Sequence, residues 1–244
     1  MEISEQTLRS LVNETDEQHR AGMESLPDDI RSLHSEMRRF GSVVVRGAGQ
    51  RRVMRRAAAT AAAVTIGSQI VPIRSFLPRA AAADGDAGIA AFAQSVELTA
   101  VAAYTAAAQS GLVTTPAVLD AAVKFMGHHT EHAAAFGAAA GDAATDALNQ
   151  ALLDALSPSL AAAKTENDVL KLAYDLENAA AATYLFALGA LQSVPALQLT
   201  ASILPVEAQH AVVLGQVIGA EAATLLPPFE TETAFVDPAK FPVG

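Results

Sequence analysis

Two segments of the chain repeat, and the repeat limits the fold more than any single residue does. VELTAVAAY (Val96 to Tyr104) aligns with LENAAAATY (Leu176 to Tyr184), and HAAAFGAAAG (His132 to Gly141) aligns with HAVVLGQVIG (His210 to Gly219). The offsets are 80 and 78 residues, so the same two-part unit occurs twice with a length change of two between its parts. Within each unit a glutamate, Glu97 or Glu177, precedes a tyrosine, Tyr104 or Tyr184, by seven residues. Seven residues is two helical turns, which puts each pair on one helix face. The unit is therefore a helical hairpin, and the domain is two of them.

Composition agrees. The 244-residue chain is 51% hydrophobic and 5% aromatic, has no cysteine or tryptophan, and is dominated by alanine, the best helix former and a poor strand residue. Four helices are expected. The first runs from about Ala87 to Ser110, and the second starts near Pro116 and ends before Gly141. The third starts after the cap Thr165, with Asp168 completing a box-like pair, and runs to about Leu191; the fourth runs from near Pro195 to Ala220 and is interrupted by Pro205. About 25 residues separate helices two and three, enough to travel the length of a bundle, so the connections are short, long, short. That order fits an all-α four-helix bundle with one long crossover.

Charge divides the chain near residue 84. Residues 1–83 hold every arginine and carry a net charge of +3, whereas residues 84–244 hold four lysines and 17 acidic residues, a net of −13. The acidic part repels nucleic acid and concentrates cations. Ahead of it, Arg51, Arg52, Arg55 and Arg56 precede an uncharged stretch from Ala57 to Ile73 and small residues from Ala80 to Ala83. This layout is that of an export signal resembling the twin-arginine type, although Gln50 and Arg55 depart from its usual residues. An uncleaved membrane anchor is the alternative, since an uncharged stretch of 17 residues falls just short of a comfortable span. The expected organisation is a charged amphipathic segment over 1–45, the export signal or anchor over 46–83, the bundle over 84–225 and a proline-rich tail over 226–244. The periplasm or cell envelope is the expected location, with transient membrane contact through the leader. No chemistry is expected in the first segment, where His19 and His34 read as solvated surface histidines.

The chemistry lies in HHTEH, His128 to His132, and in Glu207-x-x-His210. The i, i+3 spacing of Glu207 and His210 aims a carboxylate and an imidazole at one metal from one helix face. When His132 is laid on His210, His129 falls on Glu207, so the first hairpin offers His-x-x-His. Glu97 and Glu177 each stand alone on an alanine-lined apolar stripe, where a carboxylate without a partner or metal would be costly. Glu97, His129, His132, Glu177, Glu207 and His210 therefore form the candidate metal set, and every donor is nitrogen or oxygen. An alanine-rich bundle with core histidines and no metal is the structural alternative.

With its single glutamates on helices one and three, a tyrosine seven residues after each, Glu207-x-x-His210 and a long crossover, the chain resembles the ferritin-like di-metal carboxylate proteins over about residues 86–222. The resemblance implies two iron or manganese ions, with zinc also admitted. Glu97 and Glu177 would be terminal or chelating carboxylates, Glu207 would bridge, and His132 and His210 would each cap one ion. Tyr104 and Tyr184 match the family's near-site tyrosine, a supporting or redox position and the candidate catalytic pair.

One departure stands out. Where the family has a second bridging glutamate, this chain has His129, with Glu131 nearby. In one register His129 and His132 face inward and Glu131 outward; in the other His128, Glu131 and His132 form the inner face. The repeat alignment favours the first. Three carboxylates with three imidazoles make a loaded site more cationic, and more hospitable to a single ion or to zinc or copper than the family norm. The expected function is an exported metal-binding protein whose metal pair reacts with oxygen or peroxide, oxidising iron or detoxifying oxidants. The alternative is a non-catalytic metal-binding or structural envelope protein. A homo-oligomer is compatible with either reading, whereas a cage would have to accommodate both leader and tail.

Overall fold

The computed structural model describes residues 3–44, 63–66, 69–72, 85–225 and 234–243. The chain divides into two compact units, residues 1–22 with 78–244, and residues 23–77.

In the first unit, helix α1 begins at Glu5; it extends to Val44 and so supplies residues to both units. Helices α2 (Gly85–Gln109) and α3 (Pro116–Ala140) form one hairpin, and α5 (Glu166–Ala190) and α6 (Val194–Val217) form the other. Helix α4 (Gln150–Ala162) lies in the crossover between them, and a short α7 (Ala222–Leu225) follows α6. The all-α bundle expected from the repeat is thus the fold. In the second unit, α1 is followed by β1 (Ala63–Ile66) and β2 (Gln69–Pro72), which pair antiparallel with Ala63 opposite Pro72 and Ile66 opposite Gln69. These strands fall on the stretch read as the export segment.

Local chemistry accounts for the helix ends. Thr165 accepts a hydrogen bond from the Asp168 backbone N–H, and the Asp168 carboxylate accepts one back from Thr165, a complete capping box. Pro116 opens α3, where its missing N–H costs nothing. Gly111 and Gly141 follow α2 and α3 with φ of 72° and 57°, a left-handed region in which a β-carbon is strained. Pro205 sits inside α6 two residues before Glu207, and the helix continues through it.

The direction of each helix follows from its partners. Tyr104 of α2 meets Glu177 of α5, and Tyr184 of α5 meets Glu97 of α2, so residue numbers run in opposite senses and the two helices are antiparallel. Helix α5 therefore starts at the end of the bundle opposite to where α3 finishes. Thirteen residues of α4 cover about 20 Å of that distance at 1.5 Å per residue. The crossover is anchored by Asn149, fully buried, which caps α4, donates its N–H to Thr99 Oγ1 (2.8 Å) and donates Nδ2 to the Phe241 carbonyl (2.8 Å).

Among the described residues one helix, α2, is long and apolar enough to cross a membrane, and its apolar window is mostly buried inside the bundle. The core around it joins Ala100, Tyr104, Phe125, Leu170, Leu176, Val213 and Leu214 to Leu8 and Val12 of α1. The N-terminal helix is thereby a packed wall of the bundle over its first turns. Exposed polar side chains fasten it as well: Arg9 pairs with Asp120 of α3, and Gln18 accepts from Gln209 of α6 at 2.8 Å.

Candidate metal centre

Six buried side chains meet at mid-bundle. Glu97, His129, His132, Glu177, Glu207 and His210 are each 0 or 1% exposed. They come from all four bundle helices, Glu97 from α2, His129 and His132 from α3, Glu177 from α5, and Glu207 and His210 from α6. The structure thus brings together every residue of the candidate metal set. Helix α3 takes the register in which His129 and His132 face inward, while the Glu131 side chain is 58% exposed.

The donors fall into two groups of four, with one donor atom from each residue and all atoms within 4.8 Å of one another. One group is Glu97, His129, His132 and Glu207; the other is His129, Glu177, Glu207 and His210. Glu207 and His129 belong to both, so the groups are adjacent and overlapping. His129 lies between the outer carboxylates, with Nδ1 2.7 Å from Glu97 and Nε2 3.1 Å from Glu177.

The donor set fits a pair of divalent ions. Buried polar atoms are normally hydrogen-bonded, and here both Glu207 oxygens and both His132 nitrogens lack a hydrogen bond, although His132 Nδ1 lies 2.8 Å from Glu207 Oε1. Close approach without hydrogen-bond alignment is what two ligands aimed at a common point present. Three carboxylates and three imidazoles are the ligand types of iron, manganese and zinc, and the carboxylate shared by both groups is suited to bridge.

The tyrosines complete the pattern by exchange. Tyr104 donates to Glu177 and Tyr184 donates to Glu97, so each phenol serves the carboxylate of the other hairpin. Both phenols are held well above their ordinary pKa, by burial first and then by the charge of Glu177 or Glu97 beside them. They remain protonated donors across the physiological range.

Without metal the centre is an ion cluster. Burial favours the neutral form of Glu97, but the charges of His129 and His132 outweigh it and bring the carboxyl down to about 2. Glu177 is likewise lowered against burial by His129 and His210. For His132, burial opposes the charged form and the charge of Glu97 and nearness of Glu207 overcome it, lifting the imidazolium to about 9; His129 and His210 are also raised against burial by the surrounding carboxylates. The signs give a stability window. What His132 contributes is fully present below its unfolded value near 6.5 and is lost as pH rises through about 9. What Glu97 contributes is present above about 4.5 and is lost as pH falls toward 2. Thermal melts of chelated protein are therefore expected to show a Tm that falls between pH 6.5 and pH 9; a flat or rising Tm over that interval would sink this electrostatic account.

Sequence reasoning missed an outer layer. His19, read as a solvated surface histidine, is 4% exposed, which corrects that expectation. Its Nε2 lies 3.0 Å from Glu131, and its ring packs against those of His128 and His132 at centroid distances of 4.1 and 5.0 Å. Its imidazole is held below the usual value by burial and then by the charge of His132. His128, assigned to the inner face only in the disfavoured register, is also buried, with Nδ1 2.8 Å from His210 Nε2. The signal was present in the sequence: Leu8, Val12, Thr15 and His19 recur at helical spacing and are all buried, a stripe that ends in a histidine. His34 lies outside the residues whose side chains are described.

A family model described as a ferritin-like domain matches residues 85–220. No curated protein matches the chain, and no solved structure does.

Proposed function

From a chain that belongs to the ferritin-like domain family, we propose a metal-binding protein whose buried centre holds two iron or manganese ions and reacts with oxygen or peroxide. The observation that carries the reading is the pair of overlapping four-donor groups sharing Glu207. Glu97 and Glu177 would hold the outer sides of the pair, Glu207 would join its members, and His132 and His210 would cap one each. Bound there, such a pair would supply electrons for the reduction of dioxygen or peroxide.

The chain's own residues do the rest. The near-complete burial of the six donors keeps bulk water from competing for the ions. Tyr104 and Tyr184 orient the outer carboxylates by donating to them, and each holds a proton at its phenolic oxygen within reach of the centre. The Tyr104 ring also walls an apolar cavity of about 120 Å³ lined by Ala103, Leu153, Leu156, Val169 and Leu176. A small apolar molecule has room there within one ring of Glu177, which supports oxygen as a reactant. Support for the export reading is the arginine-rich run ahead of Ala57–Ile73, and on that ground we place the protein outside the cytoplasm.

The test is turnover. Full-length protein loaded anaerobically with iron(II) and then mixed with oxygen or peroxide is expected to oxidise the iron faster than free iron(II), with oxidant consumed in proportion. Bound metal that stays reduced would leave a storage or buffering protein, a reading that His129 in place of a second bridging carboxylate favours.

A further inference from the structure

The two hairpins repeat, but their histidines are not treated alike. His210 faces the carboxylates with Nδ1, 3.2 Å from Glu177 and 3.5 Å from Glu207, and its outer nitrogen Nε2 meets His128 Nδ1 at 2.8 Å. His128 Nε2 in turn lies 3.3 Å from Asp16 of α1. Asp16 is held in place by Lys124 Nζ at 2.9 Å and by Arg20 at 2.9 Å. The repeat-equivalent histidine, His132, has no such support. Its Nε2 is buried without a hydrogen bond, and the position matching His128 in the second hairpin is Val206.

Proton positions follow from this geometry. With Nδ1 committed to the centre, His210 carries a proton on Nε2 and donates it to His128 Nδ1. His128 then accepts on Nδ1, so its own proton sits on Nε2 and is donated to Asp16. The result is a one-directional chain that begins at a carboxylate on the N-terminal helix, outside the span matched by the family model, and ends on a ligand of the centre. A carboxylate behind a metal-binding imidazole fixes its ring and raises its basicity; here the effect passes through a second imidazole.

We propose that Asp16 and His128 are positioning residues for one of the two metal positions, making the ion held by Glu177, Glu207 and His210 the tighter of the pair. The inference rests on the metal reading for its affinity consequence and on the hydrogen-bond chain alone for its structural one. The N-terminal helix is in this sense part of the centre, with His19 lying over its outer histidines.

The test uses the full-length protein, stripped by chelation and titrated anaerobically with manganese(II) against a competing chelator. Wild-type protein is expected to bind two ions with unequal affinity. In Asp16→Ala, and in His128→Val, which copies the other hairpin, the tighter ion weakens about 10- to 100-fold while the weaker one is unchanged. Arg9→Ala removes a docking ion pair of the same helix without touching the chain and leaves both affinities as they were. Equal loss of both ions, or loss of neither, overturns the proposal. Nitrogen-15 NMR of the stripped protein reads the chain without metal: a coupling across the hydrogen bond between His210 Nε2 and His128 Nδ1, with the His128 proton on Nε2, is expected. A His128 proton on Nδ1 overturns the proposal whatever the metal does. If the coupling is present and no manganese binds, the metal reading fails and the hydrogen-bond chain stands.

Discussion

Glu207→Ala is expected to empty both metal positions at once. The other carboxylates each belong to one donor group, Glu97 to the first and Glu177 to the second, whereas Glu207 belongs to both. Losing it takes one of four donors from each ion and removes the carboxylate suited to bridge two cations. Elemental analysis of protein purified without chelators should fall from about two ions per chain to near none. His210→Ala, by contrast, should remove one. The bundle is expected to survive, because Glu207 is flanked by Val206 and Ala211 on a helix whose packing is apolar, and far-ultraviolet circular dichroism should stay helical. Retention of a full ion by Glu207→Ala would show that the two groups do not share this ligand.

Removing the metal should cost more stability than any single substitution outside the core. An ion that binds only the folded protein stabilises it by about 4 kcal/mol when its free concentration is a thousandfold above its Kd. At roughly 2–4 °C per kcal/mol for a chain of this size, chelation should lower Tm by about 8–16 °C for each ion held that tightly. The loss has a physical source in the site. Without cations the buried carboxylates depend on imidazolium partners for compensation, and the Glu207 oxygens and His132 nitrogens remain without hydrogen bonds. Differential scanning calorimetry of the loaded protein at a set free manganese concentration, and of the same protein in excess chelator, gives the difference directly. An unchanged Tm would mean that the cluster is a self-sufficient ion network.

Much of this was legible in the sequence, and the reason is the repeat. Laying His132 on His210 placed His129 opposite Glu207, and the same alignment set the register of α3 that the structure adopts, with Glu131 outside. Helix ends were equally readable where a chemical stop exists, as at Pro116, Thr165 and Gly141. The outer layer was harder to see, because it depends on which face of α1 meets the bundle. Charged residues are frequent in that helix, and between Val12 and Ala21 its sequence is entirely polar. Leu8 and Val12 are buried, while Asp16 and His19 are polar and look solvated until a partner helix covers them. The crossing of tyrosines between hairpins was also out of reach: spacing puts Tyr104 on the face of Glu97, but only the antiparallel placement of α2 and α5 delivers it to Glu177.

That crossing binds the histories of the two hairpins together. A phenol in one half is matched to an acid in the other, 73 residues away for Tyr104 with Glu177 and 87 for Tyr184 with Glu97. A change in either half is therefore felt by its counterpart, and neither half can drift alone. Among descendants of this chain, positions 97 and 184 should be kept or lost as a couple, and so should 104 and 177. A single hairpin of this kind could complete the exchange only with a second copy of itself.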